Sequence, residues 1–279
     1  MKKKLIITGS VLAVLVLLCG LFIFIGYQKF MSVDAVEYDP ELEILLGGGG
    51  NSIILTSEDG KQALVVDTKM GSAAKKMRKS VKAGQVTVVN THFHGDHTGG
   101  NALYPNAKLI AGAYTKEQWA AMTKNGRYPD ETLKPGEETA LQIGSETVCI
   151  RNMGNAHTLN DVVVYLEKRK LLVTGDIVFL DKHPVLFTQN GCRVMSWVNV
   201  LDSLYNRYEI KALVPGHGTV SDRNALLAMK EYFTSISGAI NDPQKLSALR
   251  KKYKNYSSVP GLSGFDKTVA FIKNEQGSK

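Results

Sequence analysis

Short apolar runs alternate with turn signals along most of this chain. After a polar stretch, "YQKFMSVDAVEYDPE", which we interpret as a linker, "EILLGGGG" predicts a strand. "NSIILTSEDGKQALVVDT" then predicts a hairpin that turns at Glu58-Asp59-Gly60. "SAAKKMRKSVKA" has helical periodicity, whereas "QVTVVN" is typical of a buried strand. Strand and helix patterns therefore alternate from the beginning of this part of the chain.

The same alternation continues to residue 217. "AKLIAG" predicts a strand, "YTKEQWAAMTK" a helix opened by Thr115, and "NGRYPDETLKPGEE" a polar loop. Further runs of the same style are "TALQIGSETVCIRNM", "DVVVYLEKRKLLVTGD", "SWVNVLDSLYNRY" and "ALVPGHG". Strands that alternate with helices, some of them joined as hairpins, predict a layered α/β fold with mixed sheets.

The first 30 residues have a different pattern. Lys2, Lys3 and Lys4 precede an uncharged apolar run over residues 5–26, long enough at 1.5 Å per residue to cross a hydrocarbon core of about 30 Å. The alternative is a cleavable signal, but its apolar region is usually shorter, and no A-x-A-like site precedes "GYQKF". The lysines before the run place the N-terminus in the cytoplasm. We expect residues 1–30 to form a membrane anchor or signal segment and residues 31–279 an exported domain.

Charge does not indicate a nucleic-acid partner. The formal net charge is +8, and Lys2, Lys3 and Lys4 supply three of these charges. A basic cluster, "LRKKYKNY" at residues 249–256, is interpreted as a solvated helix face, since its aromatic residues are not interleaved with arginines. The exported part also contains Cys149 and Cys192. An oxidising compartment permits a disulfide between them, and the sequence leaves their pairing open.

Residues 90–100, "NTHFHGDHTGG", crowd three imidazoles and a carboxylate into six positions, although the chain has only 6 histidines. Zinc and similar ions take neutral imidazole and carboxylate oxygen as ligands, usually three or four from the protein. One turn cannot surround an ion, so further ligands are expected at the ends of other strands. Three apolar runs lead to such a residue beside or near a glycine. The candidate ligands are therefore His92, His94, Asp96, His97, His157, Asp176 and His217.

This pattern resembles the metallo-β-lactamase superfamily, whose H-x-H-x-D-H motif is followed by a distant His, Asp and His. The resemblance covers residues 38–235 and implies a four-layer αβ/βα sandwich, with the metal site at one edge between two mixed β-sheets. It implies that the first ion is held by His92, His94 and His157, the second by Asp96, His97 and His217, and that Asp176 bridges both. It also implies that Asp67, which closes the strand before the motif, orients a ligand.

The function implied by the resemblance is hydrolysis by two zinc ions per chain, with iron or manganese as alternatives. Two ions that share one water lower its pKa towards about 7 and so provide a bridging hydroxide. Asp96 is the expected catalytic carboxylate, because it would orient this hydroxide and shuttle its proton. We expect an exported, membrane-anchored hydrolase that cleaves an ester, thioester, lactone or amide bond of a small molecule.

Other functions stay open. β-Lactam hydrolysis is one, although Asp176 stands where several β-lactamases carry Cys and His97 where they carry Arg or another non-ligand. A mononuclear iron enzyme that oxidises persulfide sulfur is another. His94, in place of Glu, disfavours the oxygen-reducing branch of the superfamily. A non-catalytic metal-binding protein is a third alternative, and nucleic-acid cleavage is a weaker fourth.

By resemblance, the pocket is built from two loop regions around residues 114–133 and 179–197. Lys182 and Arg193 are candidates for a basic residue that grips a substrate carboxylate. His183 is the histidine left over, and we predict an ordinary solvated loop imidazole there.

Overall fold

The computed structural model describes residues 18, 20, 21, 24–124 and 126–277. Helical backbone over residues 24–30 leads into the first strand. The membrane anchor predicted at residues 5–26 lies mostly outside the described residues and stays a prediction. Within the described residues, no helix combines the length and the apolar character needed to cross a bilayer.

Twelve strands of the described chain form two mixed sheets. The first sheet has the order β1-β2-β3-β4-β5-β6-β7, antiparallel from β1 to β4 and parallel from β4 to β7. Its strands are β1 (Val33–Asp39), β2 (Leu42–Gly47), β3 (Ser52–Thr56), β4 (Gln62–Val66), β5 (Gln85–Val89), β6 (Lys108–Gly112) and β7 (Glu131–Leu133). The second sheet has the order β12-β11-β10-β9-β8, and only β11 and β12 are parallel. Its strands are β8 (Glu138–Ile143), β9 (Glu146–Gly154), β10 (Asp161–Leu166), β11 (Leu171–Phe179) and β12 (Ala212–His217).

The α-helices that follow β1 in the described chain are α1 (Gly71–Ser80), α2 (Gly95–Thr98), α3 (Lys116–Thr123), α4 (Val194–Arg207), α5 (Asn224–Gly238), α6 (Pro243–Lys252) and α7 (Phe265–Gly277). Three of them, α1, α4 and α5, cover the outer faces of the sheets. Met77 of α1 packs with Val65 and Leu109 of the first sheet. Trp197 of α4 and Phe233 of α5 belong to the apolar cluster on the outer face of the second sheet.

A third apolar cluster lies between the two sheets. It joins Ile44, Leu64 and Val89 of the first sheet to Ile150 and Val214 of the second. All nine residues of β11 are buried, as expected for a strand covered on both faces. The order of layers is thus helix, sheet, sheet, helix, and the predicted four-layer α/β sandwich is confirmed.

Two sequence-based assignments were wrong. The predicted linker contains β1, which pairs with β2 from Val33 opposite Gly47 to Asp39 opposite Leu42. Its middle residues are exposed because it is an edge strand, so it lacks the apolar run that marks a buried one. The predicted polar loop contains β7, which is too short to show a periodic pattern and pairs with β6.

His183 also differs from its prediction as a solvated residue. It is 6% exposed, and its Nδ1 lies 2.7 Å from the Tyr232 hydroxyl. Its ring packs near those of Tyr256 and Phe265. These partners come from segments about 50 or more positions later, which local sequence does not reveal. Elsewhere, Cys149 and Cys192 are both free thiols.

Candidate metal centre

The first sheet supplies four of the candidate ligands through one turn. The chain leaves β5, passes through His92 and His94, and enters α2 at Gly95. The turn is held by its own side chains: the Asn90 amide donates to the His97 carbonyl at 3.0 Å, and the Thr98 hydroxyl donates to the His94 carbonyl at 3.1 Å. Asp96 and His97 lie within α2. These hydrogen bonds fix the conformation of the motif without a bound ion.

The second sheet supplies the other three. His157 lies in the loop between β9 and β10, which is fixed by Asp161: its carboxylate accepts from the backbone N–H groups of Ala156 and Thr158 and from the Thr158 hydroxyl. His217 is the last residue of β12. The site thus lies at one edge of the sandwich, with ligands from both sheets.

Asp176 was expected just after a strand but lies inside β11. The register between β11 and β12 shifts on both sides of Gly175, whose φ is +51°. This irregularity is local to the site. A Cβ at Gly175 would overlap the Thr91 hydroxyl, so glycine is required both by the backbone conformation and by the space.

Four ligand atoms of the first cluster converge. His94 Nδ1 lies 2.9 Å from His92 Nε2 and 3.0 Å from His157 Nε2. Asp176 Oδ2 lies 3.3 Å from His157 Nε2 and 3.8 Å from His92 Nε2. Ligand atoms about 2.0–2.1 Å from a tetrahedral ion are about 3.3 Å apart, so the observed spacings suit such an ion.

The second cluster faces the other oxygen of the same carboxylate. Asp176 Oδ1 lies 3.1 Å from His97 Nε2 and 3.3 Å from His217 Nε2. Asp96 Oδ2 lies 3.5 Å and 3.4 Å from these two nitrogens. Asp176 thus presents one oxygen to each cluster, which is the geometry of a bridging carboxylate.

The buried polar atoms of the second cluster fit a cation. Within the described chain, His97 Nε2 and Asp176 Oδ1 are both buried without a partner in hydrogen-bond geometry. Unpaired buried polar groups are costly, and a divalent ion between them would satisfy both. The seven predicted side chains are therefore brought together; that they bind metal stays a prediction.

Asp67 and Thr91 connect the ligands to the protein behind them. Asp67 accepts hydrogen bonds from the Thr91 backbone N–H and hydroxyl at 2.8 Å and 2.7 Å. The Thr91 hydroxyl oxygen also lies 3.2 Å from His92 Nδ1. The sequence indicated Asp67, which contacts His97 Nδ1. It did not single out Thr91, although its place beside the motif was a signal.

The electrostatics of the two clusters differ. Burial lowers the pKa of His92 and His94 and that of His157 to about 3, so these imidazoles are neutral near pH 7. Burial also opposes protonation of His97 and His217. There, however, the negative charge of Asp176 prevails and raises both pKa values, that of His217 to about 9. Without ions, protons partly neutralise the carboxylates of the second cluster.

The more exposed face of the site lies at Asp96 and His217, whose side chains are 24% and 21% exposed. The His217 ring stacks on Phe179 with ring centroids 5.1 Å apart. Asn190 Nδ2 lies 2.8 Å from His94 Nε2. The predicted loop over residues 179–197 thus reaches the site, and Asn190 is a neighbour that the sequence did not indicate.

Other predicted pocket residues have different partners. Tyr114 is buried, and its hydroxyl lies 3.0 Å from the Thr158 hydroxyl, so it supports the His157 loop. Lys182 donates to the Ser257 hydroxyl at 3.2 Å, and Arg193 lines a small cavity with Glu275. Within the described chain, no hydrogen bond or ion pair joins the side chain of Lys182 or Arg193 to the seven candidate ligands.

Comparison with known proteins identifies the family. The family model described as the metallo-beta-lactamase superfamily matches residues 45–217. This match covers more than half of the chain and includes all seven clustered side chains. The chain belongs to the metallo-beta-lactamase superfamily. Members of this superfamily are hydrolases, and they typically bind zinc.

Relatives within the superfamily have different named activities. The chain is 26% identical over 183 residues to metallo-beta-lactamase type 2 of Bacillus cereus, covering 63% of this chain and 70% of that protein. It is 25% identical over 239 residues to hydroxyacylglutathione hydrolase of Nostoc punctiforme, covering 82% of this chain and 86% of that protein. The solved metallo-beta-lactamase from Pontibacter korlensis superposes with a TM-score of 0.61 at 22% identity, over 72% of this chain and 99% of that one. This structural likeness shows the shared fold.

Proposed function

We propose that this superfamily member is a dinuclear zinc hydrolase that cleaves an ester, thioester, lactone or amide bond of a small molecule. The observation that carries the proposal is the position of Asp176 between two clusters, with Oδ2 towards His157 Nε2 and Oδ1 towards His97 Nε2. A carboxylate so placed joins two cation sites and offsets part of their mutual repulsion.

The residues divide the work. His92, His94 and His157 would be neutral donors to the first ion, and Asp96, His97 and His217 would hold the second. Bound zinc supplies Lewis acidity and brings the pKa of water towards about 7. Interactions with His97 and His217 outweigh the effect of burial and hold the pKa of Asp96 well below its usual range, so Asp96 is ionised. Because it is also partly exposed, Asp96 can accept a hydrogen bond from an attacking water and so orient it.

The alignments support two substrate classes. The hydroxyacylglutathione hydrolase of Nostoc punctiforme aligns over most of this chain, which favours a thioester or related ester. The metallo-beta-lactamase of Bacillus cereus aligns over a shorter part at similar identity, which makes a β-lactam the second candidate.

A substrate panel tests the activity. Purified full-length protein would be stripped of metal, reloaded with zinc, and assayed against esters, thioesters, lactones, amides and β-lactams. We expect two zinc ions per chain and hydrolysis that Asp96→Ala abolishes, while Asp34→Ala, at an exposed position of β1, retains it. One iron per chain with thiol-dependent oxygen uptake would instead identify the redox alternative.

We also propose that residues 5–26 anchor the protein with its domain on the extracytoplasmic side. The uncharged apolar run and the three lysines before it support this orientation. Membrane fractionation and protease protection test it. The full chain should sediment with membranes and lose its domain to external protease, whereas a chain without residues 1–30 should be in the soluble fraction.

A further inference from the structure

A buried lysine lies behind the second cluster. Lys69 follows β4, and its relative exposure is 0%. Its ammonium donates to the carbonyl oxygens of Leu45, Gly47 and Gly50 at 3.0, 2.6 and 2.7 Å. All three acceptors lie at the end of β2 or in the connection to β3. The Lys69 side chain therefore fixes the backbone of a connection that contains four consecutive glycines.

The backbone at Lys69 is itself unusual. Its φ is +58°, in the left-handed region that residues other than Gly, Asn and Asp rarely adopt. Glycine would be free of this strain, yet only a long cationic side chain can reach the three carbonyls. The hydrogen bonds of the ammonium thus compensate for an unfavourable local conformation.

The connection held by Lys69, residues 47–51, is called the glycine turn below. It packs directly against ligands of the second cluster. A Cβ added at Gly50 would overlap the imidazole ring of His97, and one at Gly49 would lie 2.6 Å from Asp96 Cβ. The backbone of the turn therefore lies in contact with two side chains of the proposed second ion.

The other end of the glycine turn reaches the third ligand. The Asn51 amide donates to the carbonyl oxygens of Pro215 and Gly218, each at 2.9 Å, and the Asn51 backbone N–H donates to Gly216 at 2.7 Å. These residues flank His217. The glycine turn thus spans from the ammonium of Lys69 to all three ligands that are specific to the second cluster.

We propose that Lys69 is a positioning residue for the second cation, acting through the glycine turn on Asp96, His97 and His217. The inference rests on the dinuclear site proposed above and adds a residue to it. A positioning role and a purely electrostatic role of Lys69 predict opposite changes in cation affinity when the lysine is replaced. If the positive charge of Lys69 were its main influence, removing it would tighten cation binding, whereas loss of positioning weakens it.

Titration of metal-free, full-length protein with Co²⁺, followed by visible absorption and calorimetry, separates the two ions. We expect the wild type to bind two ions. Lys69→Met should bind the second about tenfold to a hundredfold more weakly, with the first nearly unchanged. Lys75→Met, which removes an exposed lysine from α1, is the matched control and should bind both ions as the wild type does.

A second variant tests the same contact without touching the lysine. Gly50→Ala pushes a methyl group against His97 and should also weaken the second ion, whereas Gly84→Ala, where a Cβ meets no neighbour within 4 Å, should not. If Lys69→Met does not fold, Gly50→Ala and its control Gly84→Ala still test whether the glycine turn positions His97. Unchanged or tighter second-ion binding in Lys69→Met, or unchanged binding in Gly50→Ala, overturns the role of Lys69. A wild type that binds only one ion overturns the dinuclear site itself.

Discussion

His97 Nδ1 lies 2.7 Å from Oδ2 of Asp67, and both side chains are almost completely buried. A carboxylate at this distance accepts a hydrogen bond from Nδ1–H, so Nε2 is the nitrogen that faces the second cluster and binds a cation once its own proton is displaced. The same oxygen accepts from the Thr91 hydroxyl, which lies beside His92. One carboxylate therefore sets the orientation of ligands in both clusters.

Asp67→Ala should weaken binding of the second cation by about tenfold to a hundredfold, because the His97 ring loses the acceptor that fixes its tautomer. Asp67→Asn should have a smaller effect, since its amide oxygen can still accept from Nδ1. Titration of the metal-free variants with zinc against a competing chelator measures this. Asp34→Ala serves as the control; equal affinities in Asp67→Ala and the wild type would contradict the role of the carboxylate.

Thr91→Val tests the connection to the first cluster. Valine has the same shape but lacks the hydroxyl that donates to Asp67 and lies 3.2 Å from His92 Nδ1. We expect weaker binding of the first cation, within the same range of about tenfold to a hundredfold. Thr87→Val, on strand β5, changes the same atoms away from the ligands and should leave the affinity unchanged. A similar loss in both variants would point to a general effect of the substitution.

The two clusters should respond differently to pH. The pKa of His217 is raised to about 9, so a cation must displace its proton at neutral pH. Affinity for the second ion should therefore rise with pH up to about 9, by about tenfold per unit for each displaced proton. The ligands of the first ion have pKa values below the usual 6.5 of an imidazole, and that of His157 is about 3, so the affinity for the first ion should vary little between about pH 7 and pH 8.

Calorimetric titrations in buffers of different ionisation enthalpy count the protons released by each ion. We expect release on binding of the second ion and almost none on binding of the first near pH 7. Equal proton release in the two steps would show that the clusters do not differ in protonation as the structure indicates.

Local sequence was sufficient to predict the candidate ligands that lie on one short stretch or near the ends of strands. The motif around His94 and the three later ligands could be recognised by residue type and spacing, and the structure brings them together. Thr91 and Lys69 could not be recognised, because their roles come from contacts with other segments. Asn190 is 96 positions from His94, the residue it contacts. The four consecutive glycines were visible, but nothing in the sequence showed that they pack on the second cluster.

The errors in the fold have a related cause. Apolar patterning identifies strands that are buried, and β1 is an exposed edge strand whose partner, β2, defines it. The prediction of a solvated His183 fails because its partner Tyr232 lies on a helix that begins 41 positions later. The strand β1 and the burial of His183 both depend on contacts with distant segments rather than on local composition.

Trp197→Ala should destabilise the protein strongly. The indole ring is 0% exposed, donates to the Ile177 carbonyl at 2.9 Å, and packs 5.4 Å from the His157 ring. Removing it leaves a cavity, which for a buried aromatic side chain costs about 3–5 kcal/mol. Because His157 also loses its support, the first cation should bind more weakly. Urea unfolding followed by circular dichroism measures the stability.

Trp119→Ala is a control that separates the loss of stability expected for Trp197→Ala from its weaker binding of the first cation. Trp119 is 1% exposed and its ring pairs with Tyr114, so its loss should destabilise the protein by a similar amount. Its effect on binding of the first cation should be smaller, since the ring of His157 keeps its contact with Trp197. If Trp197→Ala cost less than about 1 kcal/mol, or if both variants weakened the first ion equally, the packing of Trp197 against His157 would not be what positions that ligand.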